Sequence, residues 1–218
     1  ELLSPDCLSE LRKKMVTSLI RGKQFYSNRL LGKYWRVILD GTGVACFEER
    51  HCDNCLYEKR TYKDGRKVTV YYHKVLEAKL ILGDKIVVSL GTEFIENERS
   101  DVSKQDCETK AAKRLLERIK KEYPRLPICI QGDAMYATEP MMEICRLNGW
   151  KYIFSHKEAQ QRVLADNYNL LSLEDGKQKV QGIGAEKGTA IYCNGIGKMA
   201  GKTEIMNVYE YACKKIIK

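Results

Sequence analysis

The chain has 218 residues, 38 of them Lys or Arg against 29 Asp or Glu, for a formal net charge of +9. That length carries one large domain, or a domain with an insertion, and its 44% apolar residues are enough to bury a core. The charge balance favours a polyanionic partner, and no apolar run approaches the roughly 20 residues of a membrane helix. Nine cysteines, an odd number at irregular spacings, argue against a secreted disulfide framework and for reduced thiols. No signal-peptide pattern is visible. The chain begins at Glu1, and the expectation is a piece of a longer protein.

The basic excess is uneven. Residues 1–33 carry seven basic and three acidic side chains, and residues 197–218 carry five and two. Residues 6–21 read as a helix, with Leu8, Leu11, Met15, Leu19 and Ile20 on one side and Gly22 as its end. Residues 34–40 read as a short buried strand, and residues 44–67 as a long loop. From Val68 to Leu82 apolar residues alternate with polar ones, the pattern of a long strand with one buried side. Gly83 and Asp84 then turn the chain into a returning strand over 86–95.

Residues 104–123 give the clearest helix, with Ala111, Ala112, Leu115, Leu116 and Ile119 as its apolar stripe. Its charged face, which includes Arg114 and Arg118, reads as solvated. A buried strand follows over 126–133, a helix over 138–148 with Pro140 in its first turn, and a third apolar strand over 150–155. Three antiparallel strands followed by βαβ crossovers predict an α/β fold with a mixed sheet. Residues 158–218 are richer in Gly and read as an all-β insertion, with Gly182-Ile-Gly184 and Gly195-Ile-Gly197 as hairpin turns. The expected divisions are a basic helical segment (1–33), a core (34–157) and a β-rich insertion (158–218).

Two aspartates stand out. Asp40 and Asp133 each close an apolar run and precede small residues, in Leu39-Asp40-Gly41-Thr42-Gly43 and Ile130-Gln131-Gly132-Asp133-Ala134. A carboxylate at the end of a buried strand is costly to desolvate unless it is paired or bound to a metal. If the two strands are neighbours, their carboxylates meet at the sheet edge where open α/β sheets place ligands. Two hard oxygen donors in a basic chain then suit Mg²⁺. The other reading is that both are turn or cap residues.

The words Leu39-Asp40-Gly41-Thr42, Gly132-Asp133-Ala134-Met135-Tyr136 and Tyr71-Tyr72-His73-Lys74-Val75-Leu76-Glu77-Ala78-Lys79 resemble those of bacterial insertion-sequence transposases of the DDE superfamily. The resemblance covers most of residues 30–157, with 158–218 matching the β-rich insertion of some members. It implies a ribonuclease H-like fold and metal-dependent DNA cleavage and strand transfer. In that chemistry Asp40 and Asp133 ligate Mg²⁺ or Mn²⁺ at transposon-end double-stranded DNA, in a self-associated complex in a bacterial cytoplasm. The family's third acid lies in a Tyr-x2-Arg-x3-Glu pattern, which is missing here. Glu204 and Glu210 lack an Arg at that spacing, so the chain is expected to stop short of the acid and to be inactive in strand transfer. The alternatives are a ribonuclease H-like fragment that binds nucleic acid without cutting it, and a structure-selective nuclease of the same fold.

A second constellation is His51-Cys52-Asp53-Asn54-Cys55, with Cys46 upstream and His73 on the strand that follows. Cys-x2-Cys offers two thiolates from one turn, and a tetrahedral zinc site needs two more ligands. His73 with His51 or Cys46 is the expected completion. The competing reading is a loop with reduced thiols.

Overall fold

The computed structural model describes residues 4–157, 162–173, 176–183, 188–197 and 205–212. Two compact units divide the chain, residues 1–155 and residues 156–218.

In the first unit, helix α1 (Pro5–Arg21) starts where the Ser4 side chain accepts from the Cys7 N–H at 3.2 Å, with Pro5 in its first turn. Leu8, Leu11 and Met15, three of the residues on the expected apolar side, are exposed. The packed stripe runs one position round the helix, through Arg12, the fully buried Val16, and Leu19 and Ile20. A charged residue can occupy that stripe because Arg12 pairs with Glu122 at 2.8 Å.

Strand β1 (Trp35–Phe47) does not stop at Asp40. Gly41, Thr42 and Gly43 stay in the ladder, opposite Leu76, Val75 and Lys74, and a bulge follows between Gly43 and Ala45. Pairing satisfies backbone groups that a turn would leave to water. The expected loop over 44–67 also holds a strand, β2 (Leu56–Thr61), whose Glu58-Lys59-Arg60 run hides it from an apolar pattern. Charged side chains are usual on strands at a sheet margin. The side chain of Gln105 covers that margin, its Oε1 accepting from the Tyr57 N–H at 2.6 Å and its Nε2 donating to the Tyr57 carbonyl at 2.8 Å.

Strand β3 (Lys67–Gly83) is the long strand expected, and Val70, Leu76, Ala78, Leu80 and Leu82 are buried on one face. One edge of β3 carries β2 and then β4 (Ile86–Ile95), and the other carries β1. After helix α2 (Glu108–Glu122) come β5 (Ile128–Gly132), helix α3 (Glu139–Leu147) and β6 (Lys151–Phe154). The sheet order is β2-β3-β1-β5-β6 with β4 also on β3. Strands β1, β5 and β6 run parallel, and β3 is antiparallel to β1.

All five stripe residues of α2 are buried, packed in one core with Trp35, Val37, Leu39 and the inner face of β3. Each fully buried Leu or Ile there contributes about 1.5–3 kcal/mol. The charged face of α2 is not simply solvated. Arg114 reaches Glu93 and Asp106, each at 2.7 Å, and Arg118 reaches Glu93 at 2.9 Å.

The second unit is not all-β. It opens with helix α4 (Arg162–Leu170), which buries Leu164, Ala165 and Tyr168. An antiparallel sheet follows, β7 (Gln178–Ile183), β8 (Gly188–Gly197) and β9 (Ile205–Ala212), in the order β7-β8-β9. Gly182 lies in β7, and Gly195 and Gly197 lie in β8 at an irregularity after Cys193, so these glycines are not turns. Gly184 and Glu204 lie outside the described residues. Glu210 is in β9 opposite Ile191. No described helix is long and apolar enough to cross a membrane.

Candidate functional site

The first candidate site lies where β1 leaves β5. Their parallel pairing runs from Trp35↔Ile128 to Ile38↔Gln131. Asp40 is two residues beyond Ile38 within β1, and Asp133 is two beyond Gln131 in the turn that follows β5, so the aspartates stand at matched offsets past the last paired residues. Both side chains are exposed. Asp133 also caps the short 3-10 turn over residues 134–136, its Oδ1 accepting from the Met135 N–H at 2.9 Å. The cap reading of Asp133 therefore holds alongside its place at the edge.

Three residues that sequence reasoning missed adjoin the pair. The Glu108 carboxylate, in the first turn of α2, lies against Gly41. A Cβ built on Gly41 would come within 2.4 Å of Glu108 Cδ, so a side chain here would displace the carboxylate. Lys74 Nζ reaches Glu108 Oε1 at 2.9 Å, and the hydroxyl of the buried Tyr136 donates to Glu108 Oε2 at 3.1 Å. The hydrogen bond to Glu108 raises the Lys74 ammonium above its ordinary pKa. Burial, followed by the charges of Glu108, Asp133 and Asp40, drives the Tyr136 phenol far above its own. All three carboxylates thus act on one hydroxyl.

Neither Asp40 nor Asp133 forms a salt bridge among the described residues, whereas Glu108 has Lys74. Asp40, Asp133 and Glu108 do not bring three carboxylate oxygens within 4.8 Å of one another.

The second candidate site is the cluster Cys52, Cys55 and His73, which can hold a metal ion. Among the described residues it alone brings three such donors within 4.8 Å of one another. The sulfurs are 3.6 Å apart, and His73 Nε2 lies 3.4 Å from each. His73 projects from β3, and the cysteines come from the turn before β2, where the Cys55 N–H donates to the Cys52 carbonyl at 3.4 Å. Burial opposes ionisation of the Cys55 thiol. The backbone N–H groups of His51 and Cys52, the Cys52 side chain and the nearby Arg50 charge outweigh it and hold the pKa below its ordinary value.

Neither proposed fourth ligand joins them. Cys46 pairs with Tyr72 and His73 with Ala45, so Cys46 lies on the opposite face of the sheet. The His51 ring is stacked on Phe47 at 4.2 Å, outside the cluster.

Comparison of the chain with family models, curated proteins and solved structures gives no match.

Proposed function

We propose that the first unit is a ribonuclease H-like core of the DDE transposase type, which cuts phosphodiester bonds of double-stranded DNA with Mg²⁺ or Mn²⁺ at Asp40 and Asp133. The observation that carries this reading is the matched offset of the two aspartates past the last paired residues of the parallel strands β1 and β5, with both side chains exposed. The sheet order also supports it, with a central first strand flanked by an antiparallel partner on one side and parallel βαβ strands on the other.

A bound divalent ion would supply charge stabilisation at a phosphoryl oxygen and a more acidic water. The chain's own part is to hold two carboxylates at an open edge. Glu108 is kept in place by Lys74 and Tyr136 beside Gly41, where the lack of a side chain gives it room. The net charge of +9 would draw in the polyanion. Transposon ends as the DNA, assembly of copies on it, and a bacterial cytoplasmic setting follow from the sequence resemblance alone. For the Cys52–Cys55–His73 cluster, two thiolates and an imidazole make zinc the fitting ion.

The test is cleavage of an end-labelled duplex with Mn²⁺ by the chain, by Asp40→Asn and by Asp133→Asn. Cleavage lost in both variants supports the proposal; cleavage that survives either one overturns it. A second reading, binding without cutting, is favoured by the engagement of Glu108 with Lys74 and Tyr136, which leaves only two free carboxylates. It predicts duplex and Mn²⁺ binding with no product.

A further inference from the structure

We infer that Cys52, Cys55 and His73 hold one Zn²⁺ whose fourth place opens to solvent, and that this ion fastens the β1–β2 and β4–α2 connections onto β3. The inference deepens the zinc assignment above and is independent of whether the chain cuts DNA.

The donor spacing carries the first half. Zn–S bonds of about 2.3 Å and Zn–N bonds of about 2.0–2.1 Å at tetrahedral angles require S···S near 3.8 Å and S···N near 3.5 Å. The chain sets these edges at 3.6 Å and 3.4 Å, within about 0.2 Å of that requirement. Three atoms from two segments, the Cys-x2-Cys turn and β3, form one face of a coordination tetrahedron. Cys55 is buried while Cys52 is exposed, so the fourth corner lies toward water. A site with three protein ligands keeps an exchangeable position.

The second half rests on Asn97, a buried polar residue 1% exposed. Its N–H donates to the Asn54 carbonyl at 3.0 Å, and its Nδ2 to the Cys55 carbonyl at 2.9 Å. In return Asn54 Nδ2 donates to the Asn97 carbonyl at 2.8 Å. Asn97 Oδ1 accepts from the Asp106 N–H at 3.1 Å, two residues before Glu108. The metal turn is thereby bonded to the segment that launches α2, while His73 ties the same turn to the strand carrying Lys74. Both ends of the Lys74–Glu108 ion pair lead back to this one cluster.

The experiment has three arms on the full 218-residue chain. Metal analysis after purification without chelator should give one zinc per chain. That zinc should be lost in Cys52→Ser and His73→Asn and kept in His51→Ala and Cys46→Ser. No zinc, or zinc lost with His51, overturns the inference. Cobalt exchanged into the site should give thiolate-to-metal absorption and d–d bands that shift on adding imidazole; bands that ignore imidazole mean a closed fourth place and overturn that part. Hydrogen exchange of the amides over 97–111 should speed up at least tenfold when zinc is stripped by chelator, which avoids relying on a variant that fails to fold. Asn97→Ala should keep its zinc and show the same faster exchange. If zinc binds but both treatments leave those amides unchanged, the clamp is overturned and the zinc assignment stands.

Discussion

Where β1 leaves β5 the donors are oxygens, exposed and carried by residues nearly a hundred positions apart. Around Cys52 they are sulfur and nitrogen, and two of the three come from a single turn. The first site gains its form only from the register of a parallel ladder, and its neighbour Glu108 already has Lys74 and Tyr136 as partners. The second has its donors at coordination distance from one another. Hard carboxylates facing water suit a labile ion that arrives with its substrate, whereas thiolates joined by an imidazole from another strand suit an ion retained as part of the fold. On the proposed reading the first site performs chemistry and the second maintains shape, and each variant below should affect one role and spare the other.

The largest effect belongs to the oxygen site. Asp40→Asn or Asp133→Asn should lower Mn²⁺-dependent cleavage by about 100-fold or more, since each 1.36 kcal/mol of lost transition-state stabilisation is roughly tenfold. The melting temperature should barely move, because both side chains are exposed and an amide oxygen at position 133 can still accept from the Met135 N–H. A large fall in melting temperature would break the contrast.

Stripping zinc should do the reverse. Binding free energy at a site absent from the unfolded chain is folding free energy. Chelation or Cys52→Ser should cost about 3 kcal/mol, roughly 6–12 °C in a chain this size, read by calorimetry. Mn²⁺ binding at the aspartates should weaken far less.

The same contrast governs what could be read from the residues. Cys52 and Cys55 announce themselves because a turn keeps them together, and His73 because it lies on the polar side of a strand whose alternation is plain. The inner face of β3 and the stripe of α2 were legible for the same reason, a local period imposed by one buried side. Asp40 and Asp133 were legible as a matched pair by position. Glu108, Tyr136 and Lys74 were not, since nothing local to residues 74, 108 and 136 signals that one carboxylate joins them. Gly41 was a usable hint, because glycine inside a strand marks the close approach of another group. The continuation of β1 escaped because Gly41-Thr42-Gly43 has the composition of a turn, and the strand over 56–61 and the rotation of α1 escaped because charged residues occupy paired or packed positions there, with Glu122 answering Arg12. The helix over 162–170 was missed because glycines downstream dominated the reading of the whole segment.

DNA binding offers a smaller and different test of the oxygen site. Contacts through scattered Lys and Arg should make affinity for a duplex fall about tenfold or more between 50 and 200 mM salt, with little sequence preference. Zinc removal should not change that slope. An affinity indifferent to salt would leave the basic charge without the role given to it.

Tyr136→Phe touches the carboxylate edge alone. It removes one hydrogen bond to Glu108 and should cost about 1 kcal/mol by denaturant unfolding, with zinc content unchanged. Gly41→Ala should cost less than about 1 kcal/mol, because the atoms it meets are the far end of a flexible side chain. Even so it must move the Glu108 carboxylate, so it should change Mn²⁺ affinity more than stability.

The smallest effect separates the two regions by pH. Asp106 sits where the zinc turn meets α2. Burial opposes its charge, but hydrogen bonds from Arg114 and from backbone N–H groups outweigh that and lower its pKa below the ordinary value. A carboxylate with a lowered folded pKa adds stability that is fully present above its unfolded pKa and is lost as pH falls through the folded one. Its contribution therefore disappears only below about pH 4 and amounts to roughly 1 kcal/mol or less, since Arg114 is well exposed. Zinc should leave earlier, because protons compete for thiolate and imidazole ligands more strongly than for a carboxylate. Acid titration of the zinc-loaded chain should show a metal-release step and then a shallower loss of stability. Asp106→Asn should remove the second and leave the first. If both steps shift together in that variant, Asp106 and the metal turn act as one unit, and the clamp through Asn97 is tighter than its hydrogen bonds imply.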